Sequence, residues 1–181
     1  MSTRWYAILD RLPQGEITGV ELGVWHGGLS ERLLKARSNL FLHLVDRWQK
    51  PTADDSYATS GAKIAGMDQQ EYTDALKHTL KRLAPYHGRY TAHIKDTADF
   101  ANDIRDRSMD FVFIDADHSF AGVMRDITSW YPKVKPGGWI GGHDYDHPEQ
   151  GEVKRAVHEY FKDCLERLEL SYSMTWFVRV E

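Results

Sequence analysis

Two short segments of this sequence crowd together residue types that move protons and hold cations. One is Phe113-Ile114-Asp115-Ala116-Asp117-His118-Ser119-Phe120, the other Gly141-Gly142-His143-Asp144-Tyr145-Asp146-His147. A neutral imidazole, with an unperturbed pKa near ~6.5, accepts a proton near neutral pH, and carboxylates together with imidazoles form divalent-cation sites. Each segment follows an apolar run that reads as a strand. In open α/β sheets ligands bind outside the carboxyl ends of the strands, so both clusters point to one crevice. Four carboxylates and three histidines at adjacent strand ends are hard to explain by folding needs. Some have bland readings: Asp117 as the cap of a helix starting near Phe120, His147 before Pro148 as a loop residue.

A third segment, Val20-Glu21-Leu22-Gly23-Val24-Trp25-His26-Gly27-Gly28, follows a strand and opens a helix. Gly23 and Gly27 permit a tight turn and a close approach of backbone to ligand, because neither carries a Cβ. Their spacing is Gly-x-x-x-Gly, not the Gly-x-Gly-x-x-Gly of dinucleotide binding. An acidic residue, Glu21, sits just before the first glycine.

The elements that must position these segments alternate between short apolar runs and helical stretches, the mark of a parallel sheet covered by helices. Strands are expected over 17–22, over 40–45 (ending at Asp46), over 90–94, over 109–114 and over 139–142, the last entered by a turn at Lys135-Pro136-Gly137-Gly138. The 109–114 run is the most apolar of these, as a central parallel strand buried on both faces should be. Helices are expected over about 28–36, over about 68–84 with Tyr72, Leu76, Leu80 and Leu83 on one face, over 98–106, and through Val123, Ile127 and Trp130. Val153, Ala156, Val157, Tyr160, Phe161, Cys164, Leu165 and Leu168 follow the three-and-four spacing of one long amphipathic helix. Residues 168–172 and 175–180 then read as a hairpin around Ser173-Met174. The polar stretch 47–66, with Pro51, Gly61 and Gly66, is long for a plain connection and reads as a lid or substrate loop.

On these residues the chain resembles the class I S-adenosylmethionine-dependent methyltransferases. Their first motif is an apolar strand, an acidic residue and Gly-x-Gly-x-Gly, with Trp25 here in place of the middle glycine. The likeness runs from about Ile17 to Val180. It implies an α/β, Rossmann-like three-layer sandwich, a mostly parallel seven-stranded sheet with a C-terminal antiparallel hairpin, in a single domain over 1–181. It implies S-adenosylmethionine as cofactor, held by Glu21, Gly23, Trp25, Gly27, Asp46, Asp96 and Asp115. Glu21 would face the methionine ammonium, Asp46 the ribose hydroxyls and Asp96 the adenine amino group. The alternatives are a turn aspartate for Asp46 and a helix cap for Asp96 or Thr97.

The Asp115-x-Asp117-His118 pattern is similar to that of the catechol and caffeoyl-coenzyme A O-methyltransferases. There the first Asp binds a divalent metal, the residue three places on is the base for the substrate hydroxyl, and a pair at the next strand end completes the metal site. The resemblance thus implies Asp115, His143 and Asp144 as metal ligands, and His118, Asp115 and His143 as catalytic residues. Two departures bear on the metal: His118 stands where Lys is usual and His143 where a carboxylate is usual. Mg²⁺ prefers oxygen, whereas imidazole suits Mn, Fe or Zn. A metal-free site with His118 or His143 as base is the alternative. The implied activity is methyl transfer to a hydroxyl of a small molecule. A nicotinamide-dependent oxidoreductase and a non-catalytic S-adenosylmethionine-binding protein are the competing readings.

Composition narrows the classes further. The chain has 181 residues, 28% of them charged, and a net charge of −4 with no Lys/Arg-rich run, which gives no footprint for nucleic acid. No stretch of eighteen apolar residues reads as a membrane span, and residues 1–12 hold no leader-like apolar run. One cysteine, Cys164, excludes an intrachain disulfide, and it reads as a buried, inert thiol in a cytoplasmic protein. A homo-oligomer is compatible with the sequence. Trp25, Trp48 and Trp130 are stacking candidates or core, and Asp54-Asp55 reads as solvated loop.

Overall fold

The computed structural model describes residues 3–52, 56–59, 63–148 and 151–181. Its seven strands form one sheet in the order β3-β2-β1-β4-β5-β7-β6. β1 (Ile17–Leu22), β2 (Leu40–Asp46), β3 (Tyr90–Ile94), β4 (Met109–Ile114) and β5 (Val134–Gly142) run parallel. β6 (Leu168–Ser171) and β7 (Thr175–Arg179) form the hairpin, and β7 lies antiparallel to β5. From β1 the chain builds outward to β2 and β3, then returns to place β4 on the other side. The carboxyl ends of β1 and β4 therefore flank the point where the strand order reverses, which is where such sheets open a ligand crevice.

Strand periodicity divides the core into two layers. Phe111 and Phe113 face a layer built with α1 (Arg4–Leu9), α2 (Gly28–Ala36) and α3 (Gln69–Leu83). Val112 and Ile114 face the opposite layer, built with α4 (Thr97–Ala101), α5 (Phe120–Trp130) and α6 (Gly151–Tyr160). The result is the doubly wound, three-layer Rossmann-like sandwich. Leu33 of α2 is wholly buried, and truncating it to alanine should cost about 2–5 kcal/mol.

Several elements differ from the sequence expectation, each for a local reason. The helix α1 went unforeseen. On α3 the buried stripe is Tyr72, Ala75, Thr79 and Leu83, while Leu80 is 43% exposed. Small residues at 75 and 79 let α3 approach the β1–α2 turn, where Thr79 abuts Gly27. α4 is a short helix, because the chain tightens through Asn102, Asp103 and Ile104, each bonding three residues back. The expected turn at 135–138 is a bulge inside β5: the register with β4 moves from Met109–Val134 to Phe111–Trp139. The long C-terminal helix stops at Tyr160, and a 3₁₀ segment, Lys162–Arg167, continues it with Cys164 out of helical conformation. The three-and-four spacing persists across that break because Phe161, Cys164 and Leu168 still pack on the core. Cys164 is half-buried rather than enclosed. Asp117 does not cap α5; Ser119 does, accepting from the Gly122 amide at 3.1 Å. Trp48 and Trp130 are core residues. Asp54 and Asp55 lie outside the described residues.

Candidate active site

A cavity of about 310 Å³ opens along the carboxyl ends of β3, β2, β1 and β4. Gly23, Trp25, Asp46, Asp96, Asp115 and His118 line it. Of the residues expected at the site, these six share one space. Glu21, Gly27, His143 and Asp144 stand behind its wall.

The β1–α2 turn forms the floor. Gly23 has φ +79°, and an added Cβ would fall 2.1 Å from the carbonyl oxygen of Asp115, so only glycine fits where this turn crosses β4. Trp25 takes the left-handed conformation too, with φ 51°, at the position where the methyltransferase motif has its middle glycine. A side chain there is strained, and three bonds hold it. Its amide donates to Asp46 Oδ2 at 2.9 Å, and its carbonyl accepts from Thr79 Oγ1 at 2.6 Å and Trp48 Nε1 at 2.9 Å.

Asp46 is thereby a builder of the turn. Its Oδ2 accepts from the Val24 and Trp25 amides, both at 2.9 Å, and its Oδ1 from the Trp48 amide at 2.8 Å. An ionised carboxylate has further lone pairs, so a ligand diol can still bind it. Asp96 likewise does structural work: it caps α4, its Oδ1 accepting from the Ala98 amide at 2.9 Å, while Oδ2 faces Arg125 Nη2 at 3.5 Å. Below it, Thr97 donates to the buried Asp126 at 2.5 Å and accepts from Trp130 Nε1 at 3.0 Å. Burial raises the Asp126 carboxyl to about 7, against the pull of the Thr97 hydroxyl. Glu21 is 1% exposed and accepts from Ser30 Oγ, but its Oε1 has no hydrogen-bond partner. Burial pushes its carboxyl up to about 8, against the Ser30 hydrogen bond and the charge of Arg4.

At the β4 and β5 ends the polar groups are less well paired. His118 Nε2 lies 3.1 Å from Asp144 Oδ2 and 3.5 Å from Asp115 Oδ1, yet neither ring nitrogen makes a well-formed hydrogen bond. His143 Nδ1 lies 2.9 Å from Asp144 Oδ1 and 3.7 Å from Asp115 Oδ1. Burial opposes the charge on His118, but the Asp115 carboxylate, then Asp144 and Asp117, outweigh it and raise its pKa above the ordinary value. Asp144 is held below the carboxylate range: burial works against this, and the His143 hydrogen bond and the charges of His143, His118 and His147 overcome it. Asp144 also has φ 60°, a left-handed conformation that a non-glycine residue keeps only under constraint.

The donor set fits a divalent cation. Asp115, His118 and Asp144 each offer one ligand atom, all within 4.8 Å of one another, and the buried, unbonded His118 nitrogen is a donor in search of a partner. His143 bonds Asp144 from the side.

Arg4 escaped the sequence reading. Its Nη1 lies 2.5 Å from Asp115 Oδ2, at the cavity's β4 end. No motif marks it; the signal was only an arginine preceding the short apolar run Trp5 to Leu9. Tyr57 and Ile64, from the stretch 47–66, also face the cavity, with Arg47 and Gln49.

A doubly wound sheet of this strand order, with a glycine turn after β1 and acidic residues closing β2 and β4, defines a class I S-adenosylmethionine-dependent methyltransferase. The chain belongs to the Methyltransf_24 family, whose model, described as a methyltransferase domain, matches residues 20–145. Its fold is similar to the O-methyltransferase NovP (TM-score 0.65, 20% identity, covering 96% of this chain and 74% of that one). It is also similar to precorrin-6y C5,15-methyltransferase from Geobacter metallireducens GS-15 (TM-score 0.60, 16% identity, 88% and 68% covered), and to spermidine synthase from Thermotoga maritima (TM-score 0.59, 13% identity, 93% and 55% covered). At these identities the likeness is one of fold. The uncharacterized protein R132 of Acanthamoeba polyphaga mimivirus is 27% identical over 162 residues, 86% of this chain, which spans 64% of that protein's length. Family membership decides against the nicotinamide-dependent alternative. No described helix is long and apolar enough to cross a membrane.

Proposed function

We propose that this chain is a cytoplasmic enzyme that transfers the methyl group of S-adenosylmethionine to a hydroxyl oxygen of a small molecule, with His118 taking the hydroxyl proton. The observation that carries this reading is the His118 ring, at the cavity edge between Asp115 and Asp144, with both nitrogens unbonded. The oxygen attacks the methyl carbon as the carbon–sulfur bond breaks, its electrons returning to sulfur. The proton passes from the oxygen to a ring nitrogen of His118. The two carboxylates favour the resulting imidazolium, which is how a poor nucleophile is activated by a positioned base. Sulfonium supplies its own leaving group, so alignment of oxygen, carbon and sulfur is the larger part of the protein's work.

A bound divalent cation, Mg²⁺, Mn²⁺, Fe²⁺ or Zn²⁺, would be held by Asp115 and Asp144 with an imidazole from His118 or His143, and it lowers the pKa of a coordinated hydroxyl. With His118 as ligand, His143 takes the part of base. In this reading the described part of the stretch 47–66, which supplies Tyr57 and Ile64 to the cavity wall, flanks the acceptor, while residues 53–55 and 60–62 of the expected lid lie outside the described residues. The test is methyl transfer over a panel of hydroxylated compounds, with chelator and with each metal added back. Transfer to oxygen supports the reading. A chain that binds S-adenosylhomocysteine tightly but methylates nothing in the panel would be a binding protein that has lost turnover.

A further inference from the structure

We infer that Arg4 grips the carboxylate of the cofactor's methionyl group, making the first helix part of the cofactor site. The inference rests on the S-adenosylmethionine reading above. Three steps across the sheet, from β3 to β4, span roughly 14 Å at the usual strand spacing. Along that path lie Asp96, Asp46, Gly23 and Asp115 in turn. With adenine at Asp96 and ribose at Asp46, the amino-acid end falls at the β1–β4 junction. That end carries one ammonium and one carboxylate. Asp115, which lines the cavity, suits the ammonium, with buried Glu21 and its unpartnered Oε1 behind the wall adding negative potential. The carboxylate needs a cation, and among the described residues Arg4 is the arginine that pairs with Asp115, 2.5 Å from its Oδ2.

Arg4 sits on a moored element. Ala7 and Ile8 bury the inner face of α1. The hairpin turn holds its start through Thr3, whose amide donates to Ser173 Oγ at 3.1 Å and whose Oγ1 lies 2.7 Å from the same atom. Tyr172 Oη donates to Asp10 at 2.7 Å at the far end. The guanidinium is a planar fork with five donors, so one arm can stay on Asp115 while the other meets a second carboxylate. The side chain is 25% exposed and lines the cavity, which leaves that arm accessible.

The test is calorimetric binding of S-adenosylhomocysteine and of its decarboxylated analogue, S-adenosyl-3-thiopropylamine, which keeps the ammonium and lacks only the carboxylate. Arg4→Ala should weaken S-adenosylhomocysteine at least about tenfold, the loss of a charge-assisted bond. The same variant should bind the decarboxylated analogue as well as the unaltered protein does, or more tightly, since Asp115 loses its competing cation. Arg4→Lys should fall between, with the same ligand selectivity. Equal losses for both ligands would make Arg4 a wall of the pocket and overturn the inference. So would an unchanged S-adenosylhomocysteine affinity, with a raised acceptor KM then placing Arg4 at the acceptor. An unaltered protein that binds neither ligand would instead sink the cofactor reading, and this inference with it.

Discussion

The two halves of the cavity treat their carboxylates differently. Along β2 and β3, acidic side chains are spent on the protein itself: Asp46 ties three backbone amides and Asp96 caps a helix, with Glu21 Oε1 of β1 left unpartnered behind them. At the β4 edge, with the β5 end behind the wall, Asp115 and Asp144 crowd around imidazoles, and His118 has two unbonded nitrogens. Satisfied groups rigidify a site, while unsatisfied buried ones hold free energy in reserve for a ligand. One half is shaped to receive a defined molecule, the other poised to change protonation.

The sharpest way to break this contrast is to strike one group in each half. His118→Ala should lower kcat about 10²–10⁴-fold while leaving S-adenosylhomocysteine affinity within about twofold, read by steady-state kinetics and calorimetry. Unchanged turnover would remove the base role. Gly23→Ala should do the reverse. Its Cβ meets the Asp115 carbonyl at 2.1 Å, so the turn must move, and cofactor affinity should fall on the order of 100-fold.

A smaller effect sharpens the boundary between the halves. Glu21, pushed up to about 8, is mostly protonated at pH 7 in the free protein. A cofactor ammonium across the cavity wall from it favours the carboxylate, so binding should release most of one proton at pH 7 and almost none above pH 9. Titration calorimetry in buffers of different ionisation enthalpy measures this, and Glu21→Gln should abolish it. The smallest effect concerns stability. The folded Asp126 carboxyl, raised to about 7 from an ordinary 3.8, binds its proton more tightly than the unfolded chain does. Its contribution is full below the unfolded value and is lost as pH rises through about 7. Asp126→Asn, which keeps an acceptor for Thr97, should gain on the unaltered protein by roughly 1–3 kcal/mol between pH 5 and 8. Thermal melts at the two pH values give the difference.

Much of this was legible in the sequence, and the exceptions have physical causes. The strands read clearly because buried parallel strands are short apolar runs, and Gly23, Asp46 and Asp115 announced the crevice by closing or following them. Trp25 was recognised as a departure, but not that Thr79 and Trp48 hold it in a left-handed conformation, because those contacts cross the chain. The α3 face was misjudged at Leu80, since spacing favours the larger apolar residue, whereas close approach to Gly27 selects Ala75 and Thr79. The helix break at Cys164 hid inside an unbroken apolar spacing. Arg4 carried no motif, and its partner lies 111 positions along the chain. That His118 meets one oxygen of Asp144 and His143 the other, with His118 the nearer of the two to Asp115, is a matter of rotamers that spacing cannot convey.

The central claim is that one crevice seats the cofactor along β3, β2 and β1 and presents its sulfur to the cluster at β4. A crystal structure with S-adenosylhomocysteine tests this most directly. Adenine beside Asp96, ribose on Asp46 and sulfur between Gly23 and Asp115, on the side facing His118, is the predicted result. A ligand running the other way, with adenine against Asp115, or lying outside the crevice altogether, would contradict it.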